Sequence, residues 1–396
     1  MIPVISYAWI VRILNYIIPV KKKFWVFGAD YGRSYKEGSK YMLEYMIKNH
    51  PDYECYFITR NPKVKDELDN KNIPCLLNFS LKGIWAISRA EAIFACQSFG
   101  DIIFSYKKKN RKFFYLIHGQ PYKKAFKALS EEYIDKFFTP DKLLFDRIRN
   151  RIGKYFITGA STYDTAFVSA SSDFLVPYIQ AYFGKEIPVK ILEMPRIDAL
   201  YQPERFANEK WIDGLDNKMI ITFMPTHRNY GKGELSPIPF KNNLIIQQWM
   251  RDNNIVLLIK QHPNMIPMLK EEETNDVLID ITKKGIDPMT CVYKSDVLMT
   301  DHSSVWMDFL IMKRPLIFYR YDNFEVDDGG ILYNIENDFK NEFCYNEKEL
   351  FERIKFIRNN YEKSKPSDNI VNKYHKYTDG NSCRRYFEEI VNNFLS

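Results

Sequence analysis

Residues 295–322 read SDVLMTDHSSVWMDFLIMKRPLIFYRYD. Asp296–Thr300 is a short apolar run with strand character. Asp301–Ser303 breaks it with polar residues, and Ser304–Met312 follows as a helix. Pro315–Tyr319 is a second apolar strand. A strand, a helix and another strand in so short a stretch form the crossover unit of a parallel sheet.

The same alternation extends in both directions. Strands are predicted at Met219–Met224, Ile255–Lys260 and Val277–Ile281, with helices at Asn242–Asp252 and Pro288–Tyr293. Near the amino end, strands fall at Phe24–Phe27, Cys55–Thr59, Ala92–Cys96 and Phe113–Ile117, and helices at Glu37–Asn49 and Leu81–Arg89. A long helical region is expected at Asp164–Phe183, then a strand leading into Lys190–Pro195. Helices at Glu347–Asn359 and Cys383–Phe394 close the chain. The expected fold class is α/β, with two Rossmann-like halves joined near residues 195–215. The expected division is 24–200 and 201–396, with the last helix free to pack back on the first half.

Length agrees, since 396 residues exceed one ordinary domain. Hydrophobic residues at 45% and charged residues at 27% exclude wholesale disorder and a fibrous repeat. The net charge of +7 is mild for a nucleic-acid binder, so no nucleic-acid partner is expected. It suits an enzyme with an anionic substrate, or one resting on an anionic membrane. The six cysteines are scattered without metal-ligand spacing and read as buried thiols of a reducing compartment. Residues 1–20 are largely apolar, interrupted by Arg12 and followed by Lys21, Lys22 and Lys23. That order is wrong for a signal peptide, and Arg12 would sit near the centre of a spanning helix. Residues 1–23 are expected to lie in a membrane interface, with a buried first helix as the other reading. The expected location is peripheral, on the cytoplasmic face of the bacterial membrane.

Four of the six histidines follow a predicted strand, in YLIHGQP, FMPTHRN, IKQHPN and LMTDHSS. Ligands of open α/β sheets bind beyond the carboxyl ends of the strands, so these four form a candidate site. His118 precedes Gly119, Gln120 and Pro121, with Lys123 and Lys124 behind, in a basic loop that can set an imidazole beside an anionic acceptor. His262, after Lys260, can donate to a phosphate oxygen. Thr226, His227 and Arg228 place a hydroxyl, an imidazole and a guanidinium at another strand end. Thr300, Asp301, His302, Ser303 and Ser304 lead into a helix whose first amides and hydroxyls suit an anion, or whose serine is a plain cap. There is no Walker loop and no GxGxxG, and no carboxylate pair marks a metal site.

Taken in order, HGQP (118–121), PTHR (225–228), KQHPN (260–264) and residues 295–322 resemble the CDP-glycerol glycerophosphotransferase family of teichoic acid and capsular polymer synthesis. Members usually carry SD-x-LITDYSS-x-x-FD and then KP-I-x-FY-x-x-D. Here these become Ser295-Asp296, Thr300–Ser304, Asp308, Pro315, Phe318-Tyr319 and Asp322. Pro195-Arg196-x-Asp198, Asp379-Gly380 and Arg384 are further echoes, and the likeness covers about residues 24–390. His302 stands where tyrosine is usual, and Gln120 where threonine is.

The resemblance implies a GT-B-like fold, two Rossmann-like domains facing across a cleft. It implies transfer of a polyol phosphate, glycerol phosphate first, from a CDP-activated donor to a hydroxyl of a lipid-linked or polymeric glycan acceptor, with release of CMP. By that likeness His118 is the base and His262 steadies the pyrophosphate. Thr226, Arg228, Thr300, Ser303 and Ser304 hold phosphate oxygens, and Asp301 orients them. Gly119, Gln120, Lys123 and Lys124 lie on the acceptor side. The implied partners are a CDP-polyol, the acceptor and an anionic membrane surface, with no cofactor or metal. Two alternatives stay open: a GT-B glycosyltransferase using a nucleotide sugar, and a non-catalytic membrane or polyanion binder resting on the basic runs Lys107–Lys112 and Arg147–Lys154.

Overall fold

The computed structural model describes residues 13–14, 17–102, 111–130, 165–207, 211–226, 238–261, 269, 273–322 and 330–395. By Cα packing the chain separates into two compact units. The first comprises Met1–Gln120, Ala125–Asp198 and Lys376–Ser396, and the second comprises Pro121–Lys124 and Ala199–His375.

The first unit opens with β1 (Phe24–Phe27), α1 (Glu37–Asn49), β2 (Glu54–Thr59), α2 (Pro62–Asn70), β3 (Cys75–Leu77), α3 (Leu81–Arg89), β4 (Ala92–Ala95) and β5 (Lys112–Tyr115). Its sheet runs β3-β2-β1-β4-β5, parallel throughout. β1 is buried along its whole length and lies in the middle of the sheet. Its FWVF sequence therefore carries no polar alternation, as expected of a strand covered on both faces. Phe27 stacks on Phe94 at 4.5 Å, and Trp25 packs on Tyr53, Phe94 and Phe387.

Beyond β5 come β6 (Val168–Ala170), α4 (Val176–Phe183) and β7 (Val189–Ile191), with β6 parallel to β7. The helix expected over 164–183 is thus corrected to a strand followed by a shorter helix. Ala166 N bonds the Phe113 carbonyl and Val168–Ala170 pairs with Val189–Ile191, so ladder partners outside the segment override its local helical pattern. Pro177 then starts α4 from within its first turn. The short elements α2 and β3 carry too few periodic residues to stand out in the sequence.

A 3₁₀ turn, Pro195–Tyr201, carries the chain from the first unit into the second, which continues with α5 (Pro203–Ala207). There follow β8 (Met219–Phe223), α6 (Leu244–Asp252), β9 (Ile255–Ile259), β10 (Leu278–Asp280), α7 (Pro288–Lys294), β11 (Val297–Thr300), α8 (Val305–Leu310), β12 (Leu316–Tyr319), β13 (Phe343–Cys344), α9 (Glu347–Asn359) and α10 (Asp368–Tyr374). The sheet order is β10-β9-β8-β11-β12-β13, again parallel. Its core joins Ile221, Phe223, Leu257, Ile259, Met299 and Ile317. Trp306 of α8 is fully buried against Tyr122, Phe318, Phe339 and Tyr374. The last helix, α11 (Ser382–Asn393), belongs to the first unit.

Both sheets are wound alike. The first strand of each lies inside, the next strands extend to one side, and the chain then returns to the other side. The order reverses between β1 and β4 in one sheet and between β8 and β11 in the other. Loops leaving the carboxyl ends of these pairs diverge there and leave the crevice in which open α/β sheets bind ligands.

Candidate active site

In the first unit the crevice is built from the loops after β1, β4 and β5. Asp101 is buried and anchors two of them. One of its carboxylate oxygens accepts Tyr31 N, and the other accepts Cys96 N and Gln97 N, all at 2.8 Å. Burial pushes its carboxyl up to about 6, against the pull of those three amides. After β5 the chain passes through Ile117, a β-branched residue held at φ 34, and reaches His118. Such a conformation is costly and persists where the surroundings over-determine it, often at working sites.

The His118 side chain is exposed, while its backbone carbonyl accepts a hydrogen bond from Arg196 Nη1. Gln120, two residues on, is 1% exposed, and neither end of its amide meets a hydrogen-bond partner. A buried amide without a partner costs about 1–3 kcal/mol. Gly119 is half-buried. Lys123 and Lys124 lie in the second unit, where Lys123 bridges to Ile331 and Lys124 N bonds the Gly330 carbonyl.

In the second unit the matching anchor is Asp301. Its Oδ1 accepts Thr226 N at 2.7 Å and also His302 N, and Tyr321 OH donates to Oδ2 at 3.3 Å. Asp301 therefore ties the loop after β8 to the loop after β11. The Thr300 hydroxyl turns inward and donates to the Met224 carbonyl at 2.7 Å. Thr226 Oγ1 is buried without a hydrogen-bond partner. Ser303 and Ser304 stay half-exposed at the start of α8, and Ser304 makes no side-chain cap there. The Ser303 hydroxyl accepts Val305 N at 3.5 Å.

His302 is buried beside Arg320, whose Nη1 stands 3.0 Å from His302 Nε2 and also contacts Nδ1. Nη2 of the same guanidinium donates to Tyr122 OH at 2.7 Å. Arginine has no acceptor, so the ring nitrogen it bonds must be the unprotonated one. His302 is thus the inner part of a Tyr122–Arg320–His302 chain rather than an exposed base. His262, Arg228 and the neighbouring His227 fall outside the described residues.

Three groups escaped the sequence reading: Glu37, Gln97 and Arg320. Glu37 reads as an ordinary acidic first-turn residue, Gln97 as a loop amide, and Arg320 as an arbitrary position in FYRYD. Their contacts are with neighbours remote in sequence, Glu37 and Asp30 with Gln97 and Tyr122 with Arg320, and no local pattern marks them. Among the described residues no three His, Cys, Asp or Glu side chains gather as a metal ion would need. No helix of the described residues is long and apolar enough to cross a membrane.

Residues 10–392 match the family described as CDP-glycerol:poly(glycerophosphate) glycerophosphotransferase. A teichoic acid poly(glycerol phosphate) polymerase of Bacillus spizizenii is 23% identical over 97% of this chain and 96% of its own length. A teichoic acid glycerol-phosphate primase of Bacillus subtilis is 26% identical over 65% of both chains. Among solved structures, that of the wall teichoic acid polymerase TagF superposes with a TM-score of 0.72 at 20% identity. It covers 95% of this chain and 90% of that one. The fold is therefore GT-B-like.

Proposed function

This chain belongs to the CDP-glycerol:poly(glycerophosphate) glycerophosphotransferase family, and from that membership we propose that it transfers glycerol phosphate from CDP-glycerol to a hydroxyl of a teichoic acid polymer, releasing CMP. The observation that carries the reading is a family match spanning nearly the whole chain, with its motifs at the carboxyl edges of both parallel sheets. An acceptor oxygen attacks the β-phosphorus of the donor. The new P–O bond replaces the bond to the bridging oxygen, which leaves with CMP.

The proton of the attacking hydroxyl goes to His118. Its imidazole is exposed at a strand end, and its backbone is braced by Arg196. Such a base contributes about 10²–10⁴-fold to rate. Ser303, Ser304 and Thr226 supply hydroxyl donors for phosphoryl oxygens, with Arg228 and His262 assigned to the same task from the sequence. Thr226 and the turn that carries Ser303 and Ser304 are tied together by Asp301, so little reorganisation of these hydroxyls accompanies the transfer. The reading assigns phosphoryl charge to protein donors, without a resident cofactor.

The finer parts of the reading are a lipid-linked acceptor and a peripheral position on the cytoplasmic face of the membrane. The apolar, lysine-flanked amino end supports that position, and Ile13 and Ile17 are exposed at 57% and 70%.

The deciding experiment offers the purified protein CDP-glycerol, CDP-ribitol and a panel of nucleotide sugars, each with a lipid-linked glycerol phosphate acceptor. CMP release and product length are then measured. CMP formation and chain growth with CDP-glycerol are expected. Turnover of a nucleotide sugar alone would replace this reading with that of a glycosyltransferase, and preference for CDP-ribitol would change the donor.

A further inference from the structure

The helix α3 turns an apolar stripe outward. Gly83, Ala86 and Ile87 bury one side of it. A Cβ on Gly83 would run into the Leu77 carbonyl oxygen, so the helix is pressed onto the end of β3. Leu81, Trp85 and Arg89 stand at i, i+4 and i+8 and share the other side. Leu81 is 87% exposed and Trp85 46%, and Phe79, just before the helix, is 49% exposed. The stripe does not belong to a frayed end. Ser80 caps the helix by accepting Gly83 N at 3.0 Å. At the other end the buried Arg111 guanidinium donates to the Ile87, Ser88 and Ala90 carbonyls at 2.7, 2.8 and 2.9 Å.

Cations gather where this stripe meets the amino edge of the sheet. Strands β1, β4 and β5 are parallel neighbours, so their starts lie together. Lys21, Lys22 and Lys23 lead into β1, Arg89 precedes β4, and Lys112 opens β5. Lys21 N bonds the Arg89 carbonyl at 2.9 Å, which joins the amino-terminal segment to α3. The Arg89 guanidinium lies 4.6 Å from the centre of the Trp85 ring. Lys21 Nζ lies 5.8 Å from the Phe24 ring, which packs edge-to-face with Trp85. Asp52 and Glu54 pair with Lys23 and Lys21, and Glu91 is buried. Lys22 and Lys112 stay exposed, as does Lys82 beside Leu81.

We propose that the outward side of α3, with the cations at the amino edge of the first sheet, is a surface that docks on an anionic lipid bilayer. The inference rests on the reading of the protein as peripheral to the membrane, and it names a folded surface that carries the contact besides residues 1–20. Apolar side chains enter the boundary between headgroups and acyl chains, tryptophan sits at headgroup level, and cations meet lipid phosphates. Leu81 and Phe79, Trp85, and Arg89 with Lys22, Lys82 and Lys112 supply these three parts on one helix and the edge beside it. A soluble polyanion would draw on the cations and make no use of Leu81 or Phe79. Capping at both ends holds the stripe in place before contact, so little ordering opposes docking. The connection from β3 to β4 reverses the direction of winding, so a right-handed crossover puts α3 on the sheet face opposite α1 and α2. Docking through α3 leaves those two helices in water.

The test uses the full-length protein with phosphatidylglycerol vesicles, and with phosphatidylcholine vesicles for comparison. The six native cysteines are buried, so a thiol introduced at an exposed position takes an environment-sensitive fluorophore selectively. The probe on Leu81→Cys should brighten and shift to the blue with phosphatidylglycerol vesicles. The probe on Glu67→Cys, on the exposed side of α2, should not change. Leu81→Asp should bind those vesicles about 10-fold more weakly or worse, the effect of losing one leucine's burial. Its CMP release from CDP-glycerol with a soluble acceptor should stay at the wild-type level. A silent probe at position 81 in a protein that pellets with the vesicles overturns this inference and leaves the peripheral location standing, and so does folded Leu81→Asp that binds as wild type does. Should Leu81→Asp not fold, the probe at position 81 decides alone. Wild type that stays in solution with both vesicle types removes the peripheral reading and this inference together. A blue shift at position 81 that needs no vesicles and grows with protein concentration, alongside a doubled mass in light scattering, overturns the inference in favour of contact between two copies of the chain.

Discussion

Asp101 and Asp301 show at single-residue scale how each sheet edge is held. Each is a buried carboxylate that accepts backbone amides from two loops diverging at the point where strand order reverses. In the TDHSS turn, aspartate is therefore required less as a reactant than as an acceptor for amides that would otherwise be buried unpaired. Asp301→Ala should strand Thr226 N, His302 N and Tyr321 OH. Unpaired buried donors cost about 1–3 kcal/mol each, so the two buried amides alone imply a loss of about 2–6 kcal/mol of unfolding free energy, read from denaturant unfolding, with weakened donor binding. Wild-type stability in that variant would show that the three donors find other partners. Gln120 is the converse case. Both ends of its amide are buried without a hydrogen-bond partner, as is Thr226 Oγ1.

At the scale of elements, the motif Pro195-Arg196-x-Asp198 has a physical explanation. Arg196 reaches the His118 carbonyl, and Asp198 takes the first two amides of α11. Ser382 N and Cys383 N donate to its two carboxylate oxygens at 2.7 and 2.8 Å. A carboxylate at a helix amino end satisfies orphan donors and complements the dipole. This single contact helps to place the carboxyl-terminal helix in the first unit, where Tyr386, Ile390 and Cys383 are buried. Asp198→Ala should cost about 3–6 kcal/mol, from two charge-assisted bonds of about 1.5–3 kcal/mol apiece. Hydrogen exchange should show the loss first in α11, and Asp198→Asn should recover part of it because the amide oxygen still accepts. Protection of α11 unchanged in the alanine variant would contradict this account.

At the scale of the whole molecule, the chain threads its two units unevenly. It enters the second at Pro121, returns at Ala125, crosses again at Ala199 and ends in the first. The amino end bears on location. Lys21 pairs with Glu54, and Lys23 with Asp52 at 2.6 Å. Both are exposed pairs, which typically contribute less than about 1 kcal/mol and can yield to competing anions. Anionic headgroups attract each nearby lysine by about 1 kcal/mol, so exchange of partners is affordable on a membrane. Replacing Lys21, Lys22 and Lys23 with glutamate should therefore cut sedimentation with vesicles rich in anionic lipid, and high salt should weaken wild-type binding in the same direction. Full pelleting of the charge-reversed protein would rule out the lysine anchor and favour a buried amino-terminal helix.

The sequence alone determined most of the strand and helix order. β1, β9 and β12 are continuous apolar runs, and several helices carry caps set by adjacent residues. It also determined that chemistry-bearing residues follow strands, because parallel winding brings every strand's carboxyl end to one edge. Tertiary structure decided the remainder. Val168–Ala170 became a strand through partners lying well outside it, and α11 joined the first unit through Asp198, 184 residues away. Glu37 meets Gln97 across 60 residues of chain, and Arg196 meets the His118 carbonyl across 78. Local spacing cannot encode such meetings, since hydrogen bonds and charges act through distance in space, and only packing of the sheet brings those loops together.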